Sequence, residues 1–233
     1  MMKIYTDKRL LAAGLIGGTL SRHSGSMQDV CAQAPVYREL GIVPEQILHF
    51  HQVHGDTVIS VPAEKSARKI FMQPLLDADA WLLAPMPAGW GAAILTADCV
   101  PVFLWTADGN AAALAHCGWR GVVNGLAGKT ARALLQAAPG STVHAWLGPH
   151  IQACCFEVQQ DVAAQFPPDC VEPKNGKLFV NLTTQITRQL TGAGLTPDNI
   201  RAPYYCTCGD RENFFSWRRD HQRNLLLSFI YRP

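Results

Sequence analysis

Four histidines and one cysteine raise the first chemical question. The segment His49-x-His51-x-x-His54 carries imidazoles close together, and neutral imidazoles converging from one segment are good ligands for zinc or copper. Read as a strand, Gln46 to Val53 puts His49 and His51 on one face, while His54 lies beyond its end and can turn elsewhere. Short histidine patterns are common by chance, so taken alone the segment is more often structural than ligating. Cys99 and His116 form the second constellation. The apolar runs Ala92 to Trp105 and Ala111 to His116 flank Thr106-Ala107-Asp108-Gly109-Asn110, whose Asp-Gly marks a hairpin turn. Mirrored about that turn, Cys99 falls nearly opposite His116. Such a pair supports a thiolate nucleophile or, with a third ligand such as His54, a zinc site with an open position for water. A buried thiol against a core histidine is the third reading, and spacing alone leaves all three open.

The remaining thiols suggest less. Eight cysteines in 233 residues are too sparse for a disulfide scaffold. Cys154 and Cys155 are adjacent, Cys206 and Cys208 are one residue apart, and C-x-x-C is absent, so a structural zinc knot is not expected.

Several further elements must position these residues. Thr57 to Val61, Asp79 to Leu83, Val143 to Leu147 and Tyr204 to Cys206 read as strands, and Cys155 to Val158 begins another ordered piece. Leu225 to Tyr231 suits a buried closing strand. Helical spacing of apolar residues runs from Gly121 to Ala138, with shorter helices expected near Gln159 to Gln165 and from Leu182 to Ala193, where Gly194 is the terminator. Arg120 would then stand at a helix start, a ready anion site. The class is α+β, in a single domain over residues 1–233.

Composition narrows the partners. With 48% hydrophobic and 16% charged residues and a net charge of +2, the chain can bury one sizeable core and offers no basic stripe for nucleic acid. Lys3, Lys8 and Arg9 before Leu10 to Leu20 imitate a signal peptide, but Asp7 interrupts the basic region and no small-x-small cleavage site follows directly. That run is also shorter than the roughly 20 residues that span a bilayer. A cytoplasmic protein without a membrane segment is expected.

In order along the chain, Gln52-Val53-His54-Gly55-Asp56-Thr57-Val58, then Thr96-Ala97-Asp98-Cys99-Val100-Pro101-Val102, then His116-Cys117-Gly118-Trp119-Arg120-Gly121, then Gly148-Pro149 with Cys154-Cys155-Phe156-Glu157-Val158, resemble successive motifs of the YfiH family. This is the laccase-domain family now usually described as purine nucleoside phosphorylases. Cys206-Thr207 and Phe214-Phe215-Ser216-Trp217-Arg218-Arg219-Asp220 resemble its closing motif. The resemblance implies a four-layer α/β/β/α sandwich of mixed sheets and a zinc site from His54, Cys99 and His116. It also implies phosphorolysis of adenosine, inosine, guanosine and S-methyl-5'-thioadenosine, with phosphate as co-substrate, and deamination of adenosine.

That chemistry needs a metal-activated water, a phosphate cradle and a proton carrier. Asp98, Cys99 and Arg120 are the catalytic candidates, with Glu157 as a second acid. Arg22, Arg120, Arg218 and Arg219 are the substrate-binding candidates. Two departures from the family pattern stand out. Cys117 occupies a usual alanine position, and Ser21-Arg22-His23-Ser24-Gly25 only faintly resembles T-R-x-G-G, with the following S-L-N-L and G-D motifs missing. The older reading, a copper polyphenol oxidase, suits two histidines and a cysteine, although eight histidines are too few for a complete multicopper cluster. A metal-stabilised binding module without catalysis, and a Cys99/His116 hydrolase editing cell-wall precursors, complete the alternatives.

Overall fold

The computed structural model describes residues 2–61 and 76–233. In chain order its strands are β1 (Ile4–Tyr5), β2 (Ile16–Leu20), β3 (Ile47–Leu48), β4 (His51–Gln52), β5 (Val58–Val61), β6 (Asp77–Ala78), β7 (Ala80–Leu83) and β8 (Trp90–Thr96), followed by β9 (Val100–Thr106), β10 (Ala112–Cys117), β11 (Val143–Leu147), β12 (Glu157–Val158), β13 (Val171–Lys174), β14 (Lys177–Val180), β15 (Ile200–Arg201) and β16 (Leu226–Arg232). The helices are α1 (Lys8–Ala12), α2 (Val30–Glu39), α3 (Trp119–Val123), α4 (Leu126–Ala137), α5 (Gln160–Ala163), α6 (Leu182–Gly192) and α7 (Trp217–Asp220).

Side-chain alternation builds the layers. One mixed sheet has the order β1-β2-β16-β8-β3 and the other β15-β11-β9-β10-β7-β5. In the second sheet, Val100, Val102, Leu104, Ala113 and Ala115 face a core shared with Leu126, Ala131, Leu134 and Ile186 of α4 and α6. Their neighbours Phe103, Trp105, Ala112 and Leu114 face the opposite way, onto Ala92, Ile94 and Ile230 of the first sheet. That sheet turns Ala93, Leu227 and Phe229 toward Tyr37 and Val36 of α2. The layers therefore run α2, first sheet, second sheet, then α4 with α6, a four-layer α/β/β/α sandwich. Truncating a fully buried ring, Phe103 between the two sheets or Phe229 between the first sheet and α2, would cost about 3–5 kcal/mol.

Coverage on both faces also explains where sequence expectations change. The apolar arm expected from Ala92 to Trp105 is two strands, β8 and β9, lying in different sheets, and the chain crosses between them at Ala97-Asp98-Cys99. Gln46 to Val53 is likewise divided. β3 joins the first sheet and β4 pairs with β6, so His51 bonds Asp77 at the surface while His49 packs near the Tyr37 ring, and the two share no face. The helix expected over Gly121 to Ala138 begins earlier and breaks at Gly125, whose φ of 81° ends α3 before α4 starts. Tyr204 to Cys206 forms only an isolated bridge, from Cys206 to His150. The signal-like run folds into α1 and β2 with Leu10, Leu15 and Leu20 buried, and no described helix is long and apolar enough to cross a membrane.

Candidate functional site

Three segments deliver the metal candidates to one point. The hairpin of β9 and β10 pairs Pro101 with His116 and Val100 with Cys117, which puts Cys99 one residue beyond the ladder and diagonal to His116. His54 arrives from the turn after β4. One candidate ligand atom from each of His54, Cys99 and His116 lies within 4.8 Å of the other two, and the two imidazoles meet edge to face at 4.8 Å between ring centres. His116 is buried, Cys99 half-buried and His54 exposed toward the cavity.

The loop carrying His54 is held by hydrogen bonds rather than by apolar packing. The Gln52 side chain acts as an extra strand partner, donating from Nε2 to the Leu95 carbonyl and accepting from the Leu95 N–H, both at 2.7 Å. His54 itself adopts φ 58°, a conformation that non-glycine residues take rarely. The fully buried Asp79 carboxylate fixes it by accepting from the backbone N–H groups of His54 at 3.1 Å and Gly55 at 2.6 Å. The ion pair of Lys129 with Asp56 ties the far end of the loop to α4. Gly118 completes the approach, because a Cβ there would stand 3.0 Å from His54 Cδ2 and 3.3 Å from Cys99 Sγ.

Asp79 is the residue that sequence reasoning missed. Its Oδ1 lies 2.8 Å from Nδ1 of His116, and its carbonyl accepts the His116 N–H at 2.7 Å. With Nδ1 so engaged, Nε2 is the nitrogen left for a metal, the carboxylate–histidine arrangement that orients metal ligands. The only sequence signal was an acid leading the apolar run Asp79 to Leu83.

Electrostatics follow from this geometry. Burial opposes ionisation of the Cys99 thiol, but His116 and His54 overcome it and hold the thiol well below the usual range. Burial likewise opposes charge on His116, and the Cys99 sulfur with Asp79 overcomes that in turn, raising its proton affinity. Burial would raise Asp79 too, yet His116 and the Gly55 N–H keep it ionised. Cys117 points into the apolar core on the other face of β10, where burial pushes its thiol up, so it is no competing ligand.

The three residues open into a cavity of about 1230 Å³, also lined by Trp119, Arg120, Phe156, Glu157, Arg218 and Arg223. Arg120 is exposed, with its guanidinium 4.3 Å from the Trp119 ring centre and no side-chain hydrogen bond or ion pair among the described residues. It stands in a five-residue helix, so the anion site expected from a long helix start reduces to this side chain. Arg218 lines the cavity while donating to the carbonyls of Glu157 at 2.7 Å and Cys155 at 3.3 Å.

The remaining candidates are held by other groups, Asp98 and Glu157 within the cavity lining. Asp98, expected to carry protons, accepts from Thr207 Oγ1 at 2.6 Å, Ser216 Oγ at 3.0 Å and the Arg218 N–H at 2.7 Å, so it stitches the closing loops around Cys99. Glu157 is tied to Lys177. Arg22 and Arg219 lie outside the cavity lining. The Arg22 guanidinium donates to the Arg211 carbonyl at 2.8 Å and covers the Phe215 ring. Arg219 is spent on Asp220 and on the carbonyls of Thr207, Cys208 and Phe214.

Comparison with known proteins bears on the chain as a whole. The profile of the family described as "Multi-copper polyphenol oxidoreductase laccase" matches residues 21–232. A Haemophilus influenzae protein named "Purine nucleoside phosphorylase" is 32% identical over 200 residues, 81% of this chain and 75% of that protein. "Purine nucleoside phosphorylase YfiH" of Escherichia coli is 33% identical over 199 residues, covering 82% and 76%. Among solved structures, YlmD from Geobacillus stearothermophilus superposes with a TM-score of 0.81 at 25% identity, covering 94% of this chain and 92% of that one.

Proposed function

The chain belongs to the YfiH, or laccase-domain, family, and from that premise we propose that it is a metal-dependent purine nucleoside phosphorylase acting on adenosine, inosine, guanosine and S-methyl-5'-thioadenosine, with adenosine deamination as a second activity. One observation carries the reading: two imidazoles and a thiol converge beside a cavity of about 1230 Å³, large enough for a nucleoside and phosphate, whose wall offers a guanidinium stacked on Trp119.

The donor set fits zinc. Three protein ligands, one thiolate and two imidazoles, with a carboxylate behind one of them, leave an open position, and zinc bound there would supply Lewis acidity. The protein's own groups do the rest. Asp79 fixes the ring of His116 and the backbone of His54. Arg120, preset against Trp119, takes the phosphate through paired charge-assisted hydrogen bonds. Trp119 and Phe156 offer aromatic surface to the purine. Asp98 acts by position, holding the Arg218 backbone and Thr207 so that the wall beside Cys99 keeps its shape.

The test incubates metal-analysed protein with adenosine, with and without phosphate, and separates adenine from inosine by chromatography. Adenine released only when phosphate is present supports the proposal. Stoichiometric copper with dye oxidation and no adenine would replace it with the polyphenol oxidase reading.

A further inference from the structure

Four cysteines outside this centre also meet. Cys154 and Cys155 lie in the loop after β11, and Cys206 and Cys208 precede α7. Cys154 Sγ is 3.4 Å from Cys155 Sγ and 3.5 Å from Cys206 Sγ, and the three sulfurs lie within 4.8 Å of one another. Cys208 lies outside that group of three but interacts with the Cys155 thiol. All four are free thiols, and these separations far exceed a disulfide bond of about 2.05 Å. They are close to the roughly 3.8 Å edge of a tetrahedron with zinc–sulfur bonds of about 2.3 Å.

Hydrogen-bond donors face the sulfurs. The Gly209 N–H donates to Cys206 Sγ at 3.3 Å, the Gln152 backbone donates to the same sulfur, and the Tyr204 side chain bonds Cys154. Positive charge stands at the rim. Arg219 donates to the carbonyls of Thr207 at 2.8 Å and Cys208 at 3.1 Å, and Arg218 reaches the carbonyl of Cys155. Arg219, which looked like a phosphate ligand in the sequence, therefore faces a different partner. The cluster spans a break in regular structure, where an isolated bridge between His150 and Cys206 joins the two loops.

We propose that Cys154, Cys155 and Cys206, with Cys208 as the fourth ligand, bind zinc in an all-sulfur structural site separate from His54, Cys99 and His116. On binding, each thiol gives its proton to solvent and its sulfur bonds the metal, with no change of oxidation state. The site pins the loop after β11 to the segment containing Thr207, whose hydroxyl holds Asp98 beside Cys99. Adjacent cysteines and C-x-C are not ribbon motifs, so only the fold brings this ligand set together.

The test removes the first centre and looks for the second. Purified Cys99→Ala protein is loaded with zinc, dialysed and analysed for metal and by X-ray absorption, and His54→Ala serves in parallel in case the first variant misfolds. The expected result is close to one zinc per chain with a sulfur-only shell at about 2.3 Å, falling to none when Cys154→Ser and Cys206→Ser are added. Wild-type protein should hold close to two. Absence of metal from a folded Cys99→Ala protein, a shell containing imidazole nitrogen, or a disulfide between Cys154 and Cys206 in the zinc-loaded protein would each overturn the proposal. None of these readouts depends on purine turnover, so failure of the proposed activity leaves the result interpretable.

Discussion

The two candidate metal centres differ in what stands behind their ligands. At His54, Cys99 and His116 a buried carboxylate organises two ligands at once, and the sulfur faces a large cavity. At Cys154, Cys155, Cys206 and Cys208 the donors are backbone N–H groups and a tyrosine, arginines cap the flanking carbonyls, and the sulfurs lie against one another. The first arrangement leaves room for a reacting molecule beside an incomplete ligand set. The second closes on itself. Mixed imidazole and thiolate ligands with space beside them suit chemistry, whereas sulfur alone at a loop junction suits cross-linking.

Substitutions can break this contrast in graded steps. The largest effect is expected from Cys99→Ala, which should abolish phosphorolysis in a steady-state adenine assay; substantial remaining activity would move the chemistry elsewhere. Asp79→Asn keeps the shape but loses the charge behind His116, and should weaken metal affinity about 10- to 100-fold in a competition titration with a chelator. Arg120→Ala should raise the KM for phosphate about tenfold or more, from the loss of a charge-assisted bond, while Arg22→Ala changes it by less than about twofold because Arg22 lies outside the cavity. Cys206→Ser should leave kcat within about threefold and instead lower Tm by several degrees, as expected where metal binding is coupled to folding.

A smaller effect separates two buried histidines. His116 has Asp79 behind it, whereas His150 bonds only neutral groups, the Gly148 carbonyl, Thr183 and Gln152, and burial brings its pKa down to about 4. Unfolded, His150 takes up a proton near pH 6.5, so its contribution to stability is complete above that pH and is lost as the pH falls toward 4. Melting curves between pH 7 and 5 should therefore show Tm falling with pH, with a shallower fall in His150→Gln. An unchanged slope would remove His150 from this account.

How much could be read beforehand depended on whether the signal was local. The hairpin was legible because Asp108-Gly109 marks its turn, and from it came the approach of Cys99 to His116. The crossing at Ala97-Asp98-Cys99 was hidden, because strands covered on both faces lose the polar alternation that would separate β8 from β9. Gln52 to Val58 drew attention to His54 through a motif, but the geometry that selects it over His49 and His51 comes from Asp79, 25 residues away in sequence. Arg219 illustrates the opposite limit. Its residue type suggested phosphate, and only the tertiary structure revealed that carbonyls and Asp220 already occupy it. The cysteine pairs escaped for the same reason, being 52 residues apart between Cys154 and Cys206.

The most direct measurement follows the phosphorus. With adenosine, phosphate and zinc-loaded protein, phosphorus NMR should reveal ribose 1-phosphate growing in step with adenine, and no such signal with Cys99→Ala. Zinc-replete, folded wild-type protein that yields no sugar phosphate, or that releases adenine with free ribose alone, would contradict the assignment of this centre to phosphorolysis.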